Sequence, residues 1–357
     1  MIFFSIGLPG RFAEWCDAVI FRLAQRALGP VELISLNTLD ELAFAMIRTG
    51  APHFVVCSRQ PGGGVQTALA RAARRFIAVL EDPSAALRDL ATQPGVDLIA
   101  ATRAVASSCA SMMSCASMPE ALVLNGRRCG HDPVATARLI THHLELGLAD
   151  ADIQNVVSTL AGEGVVPVQA EDDAWWVGLE EPQQALVNGA LGAYIDYFAG
   201  GDFGNITWER HLFFIFEDPP ARDSVPATRP VDITGRMRCL LYGPFINLPP
   251  GSWSARVVLG FSSDAAAMTY IVEAFAGSQL NHVRIQPATE RIFEVDLHFS
   301  IDASVDDPVQ IRIYSERAAF DGRLALGYVA LTRHAKVRTD AHLYLTTMLG
   351  DKHEEAV

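Results

Sequence analysis

Apolar and polar residues alternate in two different ways along this chain. In the first 165 residues, short runs of β-branched and aromatic residues are followed by longer amphipathic stretches with helical spacing. The runs predict strands covered on both faces, because such strands are apolar at successive positions. We predict these strands at residues 2–6, 31–36, 53–57, 76–80 and 121–124. The amphipathic stretches predict helices at residues 12–28, 39–48, 65–75, from 83 onward, and at 97–117, 133–148 and 150–161.

Strand and helix in regular alternation are typical of a parallel sheet with helices on both faces and right-handed crossovers. Helix-start signals support the boundaries. Thr38 with Glu41 three residues later predicts a capping box, and Asp82-Pro83 places a cap before a proline at the first helical position. We therefore predict an α/β domain over residues 1–165.

The pattern changes twice in the rest of the chain. Residues 166–230 are rich in aromatic residues and then in proline, which predicts a helical connector and a proline-rich linker. After residue 231 apolar residues recur at every second position, as in strands with one buried face. The predicted strands are residues 237–242, 253–261, 269–276, 283–286, 291–301, 309–315 and 324–332. This spacing predicts an all-β antiparallel sandwich or jelly roll over residues 231–335, with a polar, frayed tail at 336–357.

Charge narrows the possible partners. The formal net charge is -13 with 28 Lys and Arg against 41 Asp and Glu. Nucleic acids and anionic membrane surfaces require concentrated positive charge, so neither is expected as the main partner. The apolar start of the chain lacks a basic region and is interrupted by Pro9-Gly10, and no other segment is long and apolar enough to span a bilayer. A cytoplasmic location is therefore expected.

No catalytic residue or metal site is predicted. The six cysteines have neither metal-ligand nor disulfide-framework spacing and are expected to be free thiols. His142 and His143 are adjacent on a predicted helix, so their side chains diverge and do not share an ion. Cys57 would need a nearby base to act as a nucleophile, with His131 the one candidate. Residues 61–64, with three glycines before a helix, are either an anion cradle or a surface connection.

The first turn carries a resemblance to a known family. Gly7-Leu8-Pro9 follows the first strand, and Arg75 to Pro83 contains a strand that ends in Glu81-Asp82-Pro83. These segments resemble the sulfotransferase family, in which a G-L-P-R-S-G-T segment follows the first strand and a later strand ends in R-D-P. The resemblance covers about residues 1–160. It implies a P-loop-like α/β fold and, in active members, the donor PAPS.

This chain departs from the family where the donor phosphates bind. Gly10, Arg11, Phe12 and Ala13 stand where the resemblance implies a basic residue, Ser, Gly and Thr, and Glu81 replaces the Arg that holds the 3'-phosphate. A carboxylate about 4 Å from a phosphate is repelled by roughly a few kcal/mol. Gly7, Gly10 and Arg11 remain the candidate cofactor-binding residues, with Arg59 and Arg88 as further cations. No cofactor is expected unless these cations compensate, in which case it is PAPS.

A second resemblance lies in the sandwich. Residues 241–253, which contain Leu241-Tyr242-Gly243-Pro244-Phe245 and Leu248-Pro249-Pro250-Gly251, are similar to the opening of carbohydrate-binding-like jelly rolls attached to bacterial glycan enzymes. Sugar binding requires flat aromatic faces and planar polar groups. The candidate carbohydrate-binding residues are Tyr242, Phe245, Asn247, Trp253, Asn281 and Arg284.

Together these observations predict a non-catalytic glycan-binding or accessory protein of bacterial surface-polysaccharide biosynthesis. Its expected partner is a glycan or a polysaccharide-assembly protein. One alternative is an active sulfotransferase, or another nucleotide-donor transferase, that acts on a glycan. The other is a structural module for oligomerisation, including homo-oligomers, or for partner binding.

Overall fold

A five-stranded parallel sheet forms the centre of the N-terminal half, as the strand–helix alternation predicts. The computed structural model describes residues 1–59, 61, 63–72, 74–167, 174–216, 225–266, 268–302 and 307–334. The strands of this sheet are β1 (Ile2–Gly7), β2 (Glu32–Ser35), β3 (Phe54–Ser58), β4 (Phe76–Leu80) and β5 (Ala121–Asn125). Their order is β2-β3-β1-β4-β5. All four neighbouring pairs are parallel, which confirms the predicted α/β fold class.

Helices cover both faces of this sheet. They are α1 (Arg11–Leu28), α2 (Leu39–Thr49), α3 (Gly63–Ala72), α4 (Pro83–Ala91), α5 (Leu98–Ala116), α6 (Gly126–Cys129), α7 (Pro133–His143) and α8 (Asp150–Gly162). Phe3, Val55 and Ile77 pack with α1, α7 and α8, whereas their neighbours Phe4 and Val56 pack with α5 on the other face. This separation follows from the two-residue period of strand side chains.

The local cap signals are confirmed, and one helix end is corrected. Thr38 and Glu41 form the capping box, and the Asp82 carboxylate accepts a hydrogen bond from the Ser84 N–H. Helix α7 ends at His143 rather than residue 148. Glu145 and Gly147 both have left-handed backbone angles, with φ of 54° and 64°, and these angles end the helix.

Helix α5 corrects one expectation about membranes. It has 19 residues and a mean hydropathy of 1.2, so by length and composition alone it could cross a bilayer. In the structure 61% of that stretch is buried within the protein. Val105, Cys109 and Met112 are fully buried, as is typical of a core helix.

The connector contains two helices, α9 (Ala174–Val177) and α10 (Glu181–Phe198). Tyr194 of α10 is fully buried and its ring meets Phe203 edge-on, with ring centroids 5.1 Å apart. Helix α10 packs against α4 and α5 on one side and against the first strand of the sandwich on the other. It therefore joins the two halves rather than spacing them apart.

The C-terminal half is an antiparallel sandwich of two sheets, as predicted. Its strands are β6 (Ile206–Glu209), β7 (Phe214–Ile215), β8 (Val225–Pro226), β9 (Val231–Asp232), β10 (Cys239–Tyr242), β11 (Pro244–Ile246), β12 (Gly251–Phe261), β13 (Tyr270–Ala276), β14 (Ser278–Ile285), β15 (Ile292–Ile301), β16 (Val309–Ser315) and β17 (Arg323–His334). One sheet has the order β14-β13-β16-β10-β7-β8, with β11 paired to β16. The other has the order β15-β12-β17-β6, with β9 paired to β17.

The sandwich begins earlier than the predicted residue 231. Thr207 of β6 pairs with Ala330 of β17, and Phe214 of β7 pairs with Tyr242 of β10. Strand β8, within the predicted proline-rich linker, pairs with β7. These strands have two to four residues and distant partners, so the local pattern carries no signal for them. Residues 217–224 of the predicted linker and the predicted tail at 336–357 lie outside the described residues.

The two halves share one continuous apolar core, which contains residues of α5, α10 and both sheets of the sandwich. Polar contacts fix the junction. The Arg103 guanidinium of α5 donates to the Leu212 carbonyl at 2.6 Å and lies 4.5 Å over the Phe214 ring. The Asn247 N–H donates to Ser107 Oγ at 3.1 Å. The sandwich is therefore anchored to the α/β domain by direct packing.

Candidate functional site

The turn after β1 lies where a nucleotide-binding α/β domain places phosphates. Gly7 passes close to β4, because a Cβ there would lie 2.9 Å from Val79 Cβ. Gly10 caps α1, and a Cβ at Gly10 would lie 2.4 Å from the Glu81 carboxyl group. The Arg11 side chain is exposed and forms no ion pair with any of the described residues.

The carboxylate of Glu81 occupies the start of α1. Its Oε1 accepts a hydrogen bond from the Phe12 N–H at 3.1 Å, and its Oε2 accepts one from the Ala13 N–H at 3.3 Å. These are two of the free N–H groups that make a helix N-terminus attractive to anions. The chain thus supplies its own anion at the position where the sulfotransferase resemblance implies a donor phosphate.

Space around Glu81 is small. Burial raises the pKa of its carboxyl group, and the N–H donors of Phe12 and Ala13 oppose that rise. A cavity of about 10 Å³ next to it is lined by residues of β4, β5 and the end of α10, including Asn125 and Phe198. Asn125 Nδ2 donates to the Phe198 carbonyl at 2.8 Å and so ties α10 over the ends of these strands. A cavity of this size holds about one water molecule.

The other cations near the turn are already paired. Arg59 forms an ion pair with Asp17, which also accepts a 2.6 Å hydrogen bond from Ser5 Oγ. Burial raises the pKa of Asp17, and Arg59 opposes the rise. Arg88 pairs with the neighbouring Asp89 at 3.3 Å. Of the three cations that could compensate for the lost phosphate contacts, Arg11 alone keeps its charge outside an ion pair.

The remaining chemical alternatives find little support. Burial raises the pKa of the Cys57 thiol, which favours the unreactive thiol over the thiolate. His143 Nε2 lies 3.1 Å from the carbonyl oxygens of Phe76 and Glu120, whereas His142 is exposed, so the two rings point apart. Among the described residues no group of three or more His, Cys, Asp or Glu side chains is placed to hold a metal ion. Gly62 of the glycine-rich loop lies outside the described residues.

The seven-stranded sheet presents a polar and aromatic face away from the core. On β13, Tyr270, Val272 and Ala274 are buried between the sheets, so the alternate residues lie on the other face, where Ile271 and Phe275 are half-buried and Glu273 is buried beneath its neighbours. The pairing of β14, β13 and β16 aligns the outward residues in three rows. The rows are Arg284, Ile271 and Tyr314; His282, Glu273 and Arg312; and Gln279, Phe275 and Gln310. We call these nine residues the sheet face.

Arg312 contacts three other residues of the sheet face. Its guanidinium lies 3.4 Å over the Phe275 ring, and its Nε donates to Gln310 Oε1 at 3.1 Å. Glu273 Oε2 lies 3.9 Å from Arg312 and accepts a 3.3 Å hydrogen bond from the Tyr314 hydroxyl. Burial raises the pKa of Tyr314, so its hydroxyl remains a donor. This combination supplies planar hydrogen-bonding groups beside aromatic rings, which is what sugar hydroxyls and C–H faces require.

An aromatic group continues from the sheet face toward the domain junction. It consists of Phe214, Phe216, Tyr242 and Phe245, and Tyr242 lies at its centre. The ring centroids of Tyr242 lie 5.5 Å from Phe214, 5.8 Å from Phe245 and 6.4 Å from Phe216. Phe245 has a φ of 65°, a left-handed conformation that is uncommon for an aromatic residue and directs its ring against Tyr242.

The structure does not bring the six predicted carbohydrate-binding residues together at one site. Tyr242 and Phe245 come together in the aromatic group, and Arg284 lies on the sheet face, where it pairs with Glu316 at 2.6 Å. Asn281 instead donates to the His298 carbonyl of the other sheet at 2.6 Å. The Asn247 backbone is bound at the domain junction. These two asparagines therefore lie apart from Tyr242, Phe245 and Arg284.

Trp253 requires a correction. Its side chain is 1% exposed, and its indole Nε1 donates to the Pro249 carbonyl at 3.1 Å inside the core. An indole buried on both faces has no surface against which a sugar ring can stack. Trp253 is a core residue, and the expectation that it contacts a glycan is wrong.

Sequence reasoning missed the residues of the sheet face other than Arg284. The signal was present within each strand, because Glu273 and Phe275 alternate with core residues in β13, and Arg312 and Tyr314 do so in β16. What local pattern does not give is the pairing of these two strands, which are separated by more than thirty residues in the chain.

Comparisons with known proteins give partial likenesses. No family model matches the chain, and no curated protein matches it. Mouse sulfotransferase SULT7A1 complexed with PAP has a TM-score of 0.36 at 11% identity, over 48% of this chain and 66% of that one. The xylan-binding module CBM15 has a TM-score of 0.28 at 12% identity, over 36% of this chain and 97% of that one. An arabinose-bound MgGH51 α-L-arabinofuranosidase has a TM-score of 0.23 at 13% identity, over 29% of this chain and 19% of that one. These neighbours fit a two-part architecture and indicate nothing finer.

Proposed function

We propose that this protein binds a glycan through the sheet face and the adjoining aromatic group. It would act as a non-catalytic accessory protein in the assembly of a bacterial surface polysaccharide. The observation that carries the proposal is the arrangement of Arg312, Phe275, Glu273 and Tyr314 on neighbouring strands. A guanidinium stacked on one ring and a carboxylate bonded to a phenol are both fixed before any ligand arrives, which reduces the entropy lost on binding.

Affinity electrophoresis of the full-length protein tests this proposal. Native gels would contain acidic and neutral polysaccharides, and retardation would report binding. Arg312→Ala removes the central planar donor, and we expect it to weaken binding about tenfold or more, as the loss of a charge-assisted hydrogen bond does. Arg312→Lys keeps the charge but not the planar geometry and should bind almost as weakly.

The matched control is Arg256→Gln. Arg256 is exposed on the opposite sheet, where it pairs with Glu294 and Asp296, so its loss should leave retardation unchanged. Equal effects of the Arg312 and Arg256 variants would contradict binding at the sheet face. Absence of retardation by every polysaccharide would remove the proposed function.

For the α/β domain we propose a supporting role without donor binding. The Glu81 carboxylate on the Phe12 and Ala13 N–H groups supports this role, because a second anion there would meet both a filled site and a like charge. Thermal unfolding with PAPS and PAP tests it, since a true donor site raises Tm in proportion to the logarithm of ligand concentration. A concentration-dependent rise would favour the active sulfotransferase instead.

A second candidate function is self-association through α2. Phe44 and Ile47 lie three residues apart on one side of this helix and are 67% and 85% exposed. Neighbouring exposed apolar residues are often interaction sites. Light scattering of the wild type and of Ile47→Lys would show whether a homo-oligomer forms and whether this surface holds it together.

A further inference from the structure

A basic cleft lies at one end of the sandwich, next to the aromatic group. Its volume is about 760 Å³, and it is bounded by the end of β7, by β9 with the loop that follows it, and by the start of β17. Pockets that hold small ligands measure roughly 300–1,000 Å³. We call it the arginine cleft, because its described lining includes Arg229, Arg236, Arg238 and Arg323.

The arginine cleft has a charge opposite to that of the whole chain. Four guanidinium groups face a single carboxylate, Asp232, among the described lining residues, whereas the chain as a whole has a net charge of -13. Arg229 and Arg236 each have an interaction of their own. Arg238 and Arg323 have contacts that can be named: both lie near the Asp232 carboxylate, so the four guanidinium groups of the described lining exceed the carboxylates there by three.

Arg238 is held in place by hydrogen bonds to uncharged groups. Its two terminal nitrogens donate to the carbonyl oxygens of Thr234 and Asp232, both at 2.8 Å. Carbonyl oxygens orient a guanidinium but do not neutralise it. Arg323 of β17 lies opposite Asp232 of β9 in the strand register, and this position brings it near Arg238. The Arg323 side chain is exposed. A fixed and an accessible guanidinium together favour a planar anion, which arginine binds through two parallel hydrogen bonds.

Phe216 connects the cleft with the aromatic group. Its ring is 37% exposed, lines the arginine cleft, and meets the Tyr242 ring edge-on at 6.4 Å. A glycan that stacks on the aromatic group would therefore extend into the cleft. Neutral sugars gain single hydrogen bonds from guanidinium groups, whereas a sugar carboxylate gains a bidentate, charge-assisted pair and is favoured where guanidinium groups are concentrated.

We propose that the arginine cleft binds the carboxylate of a uronic acid, so that the glycan recognised by this protein is an acidic one. This inference rests on the proposed function and narrows its ligand. It assigns the aromatic group to the faces of the sugar rings and the cleft to their negative charge. Arg323 would contact the carboxylate, and Arg238 would fix the loop that shapes the cleft.

The test compares each acidic polysaccharide with a version of itself that lacks the charge. Native gels containing alginate, polygalacturonate or hyaluronan are run beside gels containing the same polymers after chemical reduction of their carboxyl groups. We expect the full-length protein to bind at least one acidic form about tenfold more tightly than its reduced form. Arg323→Gln should abolish this difference, and Arg256→Gln should preserve it.

The outcomes separate the inference from the proposed function. Equal binding to the acidic and reduced forms, with Arg312→Ala still harmful, would overturn the acidic ligand and leave glycan binding intact. Equal effects of Arg323→Gln and Arg256→Gln would show that the attraction is not located in the cleft and would also overturn it. Failure of all six polymers to retard the protein would overturn both. Unchanged Tm values would show that each variant is folded.

Discussion

The two halves of this molecule use their charged groups in opposite ways. In the α/β half, Glu81 fills the N-terminus of α1 and Arg59 forms an ion pair with the buried Asp17, so the groups that could hold a ligand are satisfied by the chain itself. In the sandwich, Arg323 is exposed in a cleft beside the Phe216 ring. Arg312 is 23% exposed and lies against the Phe275 ring, with its nearest carboxylate, that of Glu273, 3.9 Å away. A site near the end of a parallel strand is thus not by itself a ligand site. Such a site can bind a ligand only if its hydrogen-bond donors are not already satisfied by the chain.

The largest expected effect comes from breaking the internal pairing of the α/β half. Asp17→Asn leaves Arg59 without its counter-ion, and loss of one partner of a buried pair costs about 3–5 kcal/mol. We expect about 3 kcal/mol, the low end, because Arg59 keeps 24% exposure. Urea unfolding would measure the change. The double variant Asp17→Asn/Arg59→Gln should recover most of it, and a loss below about 1 kcal/mol would contradict internal pairing.

The second prediction converts the filled site of the α/β half into an open one. Glu81→Ala leaves the N–H groups of Phe12 and Ala13 without acceptors, which should lower the unfolding free energy by about 1–2 kcal/mol. Added sulfate should then stabilise this variant but not the wild type, because an anion can now occupy the helix terminus. Glu14→Ala, at an exposed position in the same turn, is the control. If sulfate stabilised the wild type equally, Glu81 would not be the occupant.

The filled site also shows where sequence reasoning ends. The presence of Glu81 in place of an arginine predicted repulsion of phosphate, and the strand–turn–helix order was correct. Its contact with α1 depends on β4 lying beside β1, where Gly7 pairs with Val79, two residues before Glu81. That adjacency comes from the sheet order, which local periodicity does not specify.

In the sandwich the alternation predicts which residues are buried as well as where the strands lie. Trp253, Ala255, Val257 and Leu259 recur at every second position of β12, and all four are buried. The same period that predicted the strand therefore places Trp253 in the core. Aromatic residue type suggested sugar binding, but position within the strand decides which face an aromatic ring takes. The sheet face itself required knowledge of distant strand pairing.

The third prediction tests whether the sandwich is the open half. Tyr242→Ala removes the central ring of the aromatic group, and we expect glycan binding to weaken about tenfold, the usual size of a lost stacking contact. Tyr328→Ala is a suitable control, because Tyr328 is an exposed tyrosine on the opposite sheet. Equal losses in the two variants, measured by affinity electrophoresis, would mean that the aromatic group has no special part in binding.

The smallest expected effect is a pH dependence of the unfolding free energy, which shows whether the start of α1 favours a neutral or a negatively charged Glu81. Burial raises the pKa of this carboxyl group above its ordinary value of 4.5, so the folded protein holds the proton more tightly than the unfolded chain. The resulting stabilisation is complete below pH 4.5 and is lost as the pH rises through the folded-state pKa. Glu81→Gln cannot titrate. The unfolding free energy of the wild type minus that of the variant should therefore fall as the pH rises from 4 to about 7, when measured by urea unfolding at several pH values.

A difference that grows with pH would mean that the Phe12 and Ala13 N–H groups outweigh burial. The helix terminus would then prefer a full negative charge, as a phosphate site does, and the contrast between the two halves would be weaker than the contacts of Glu81 imply.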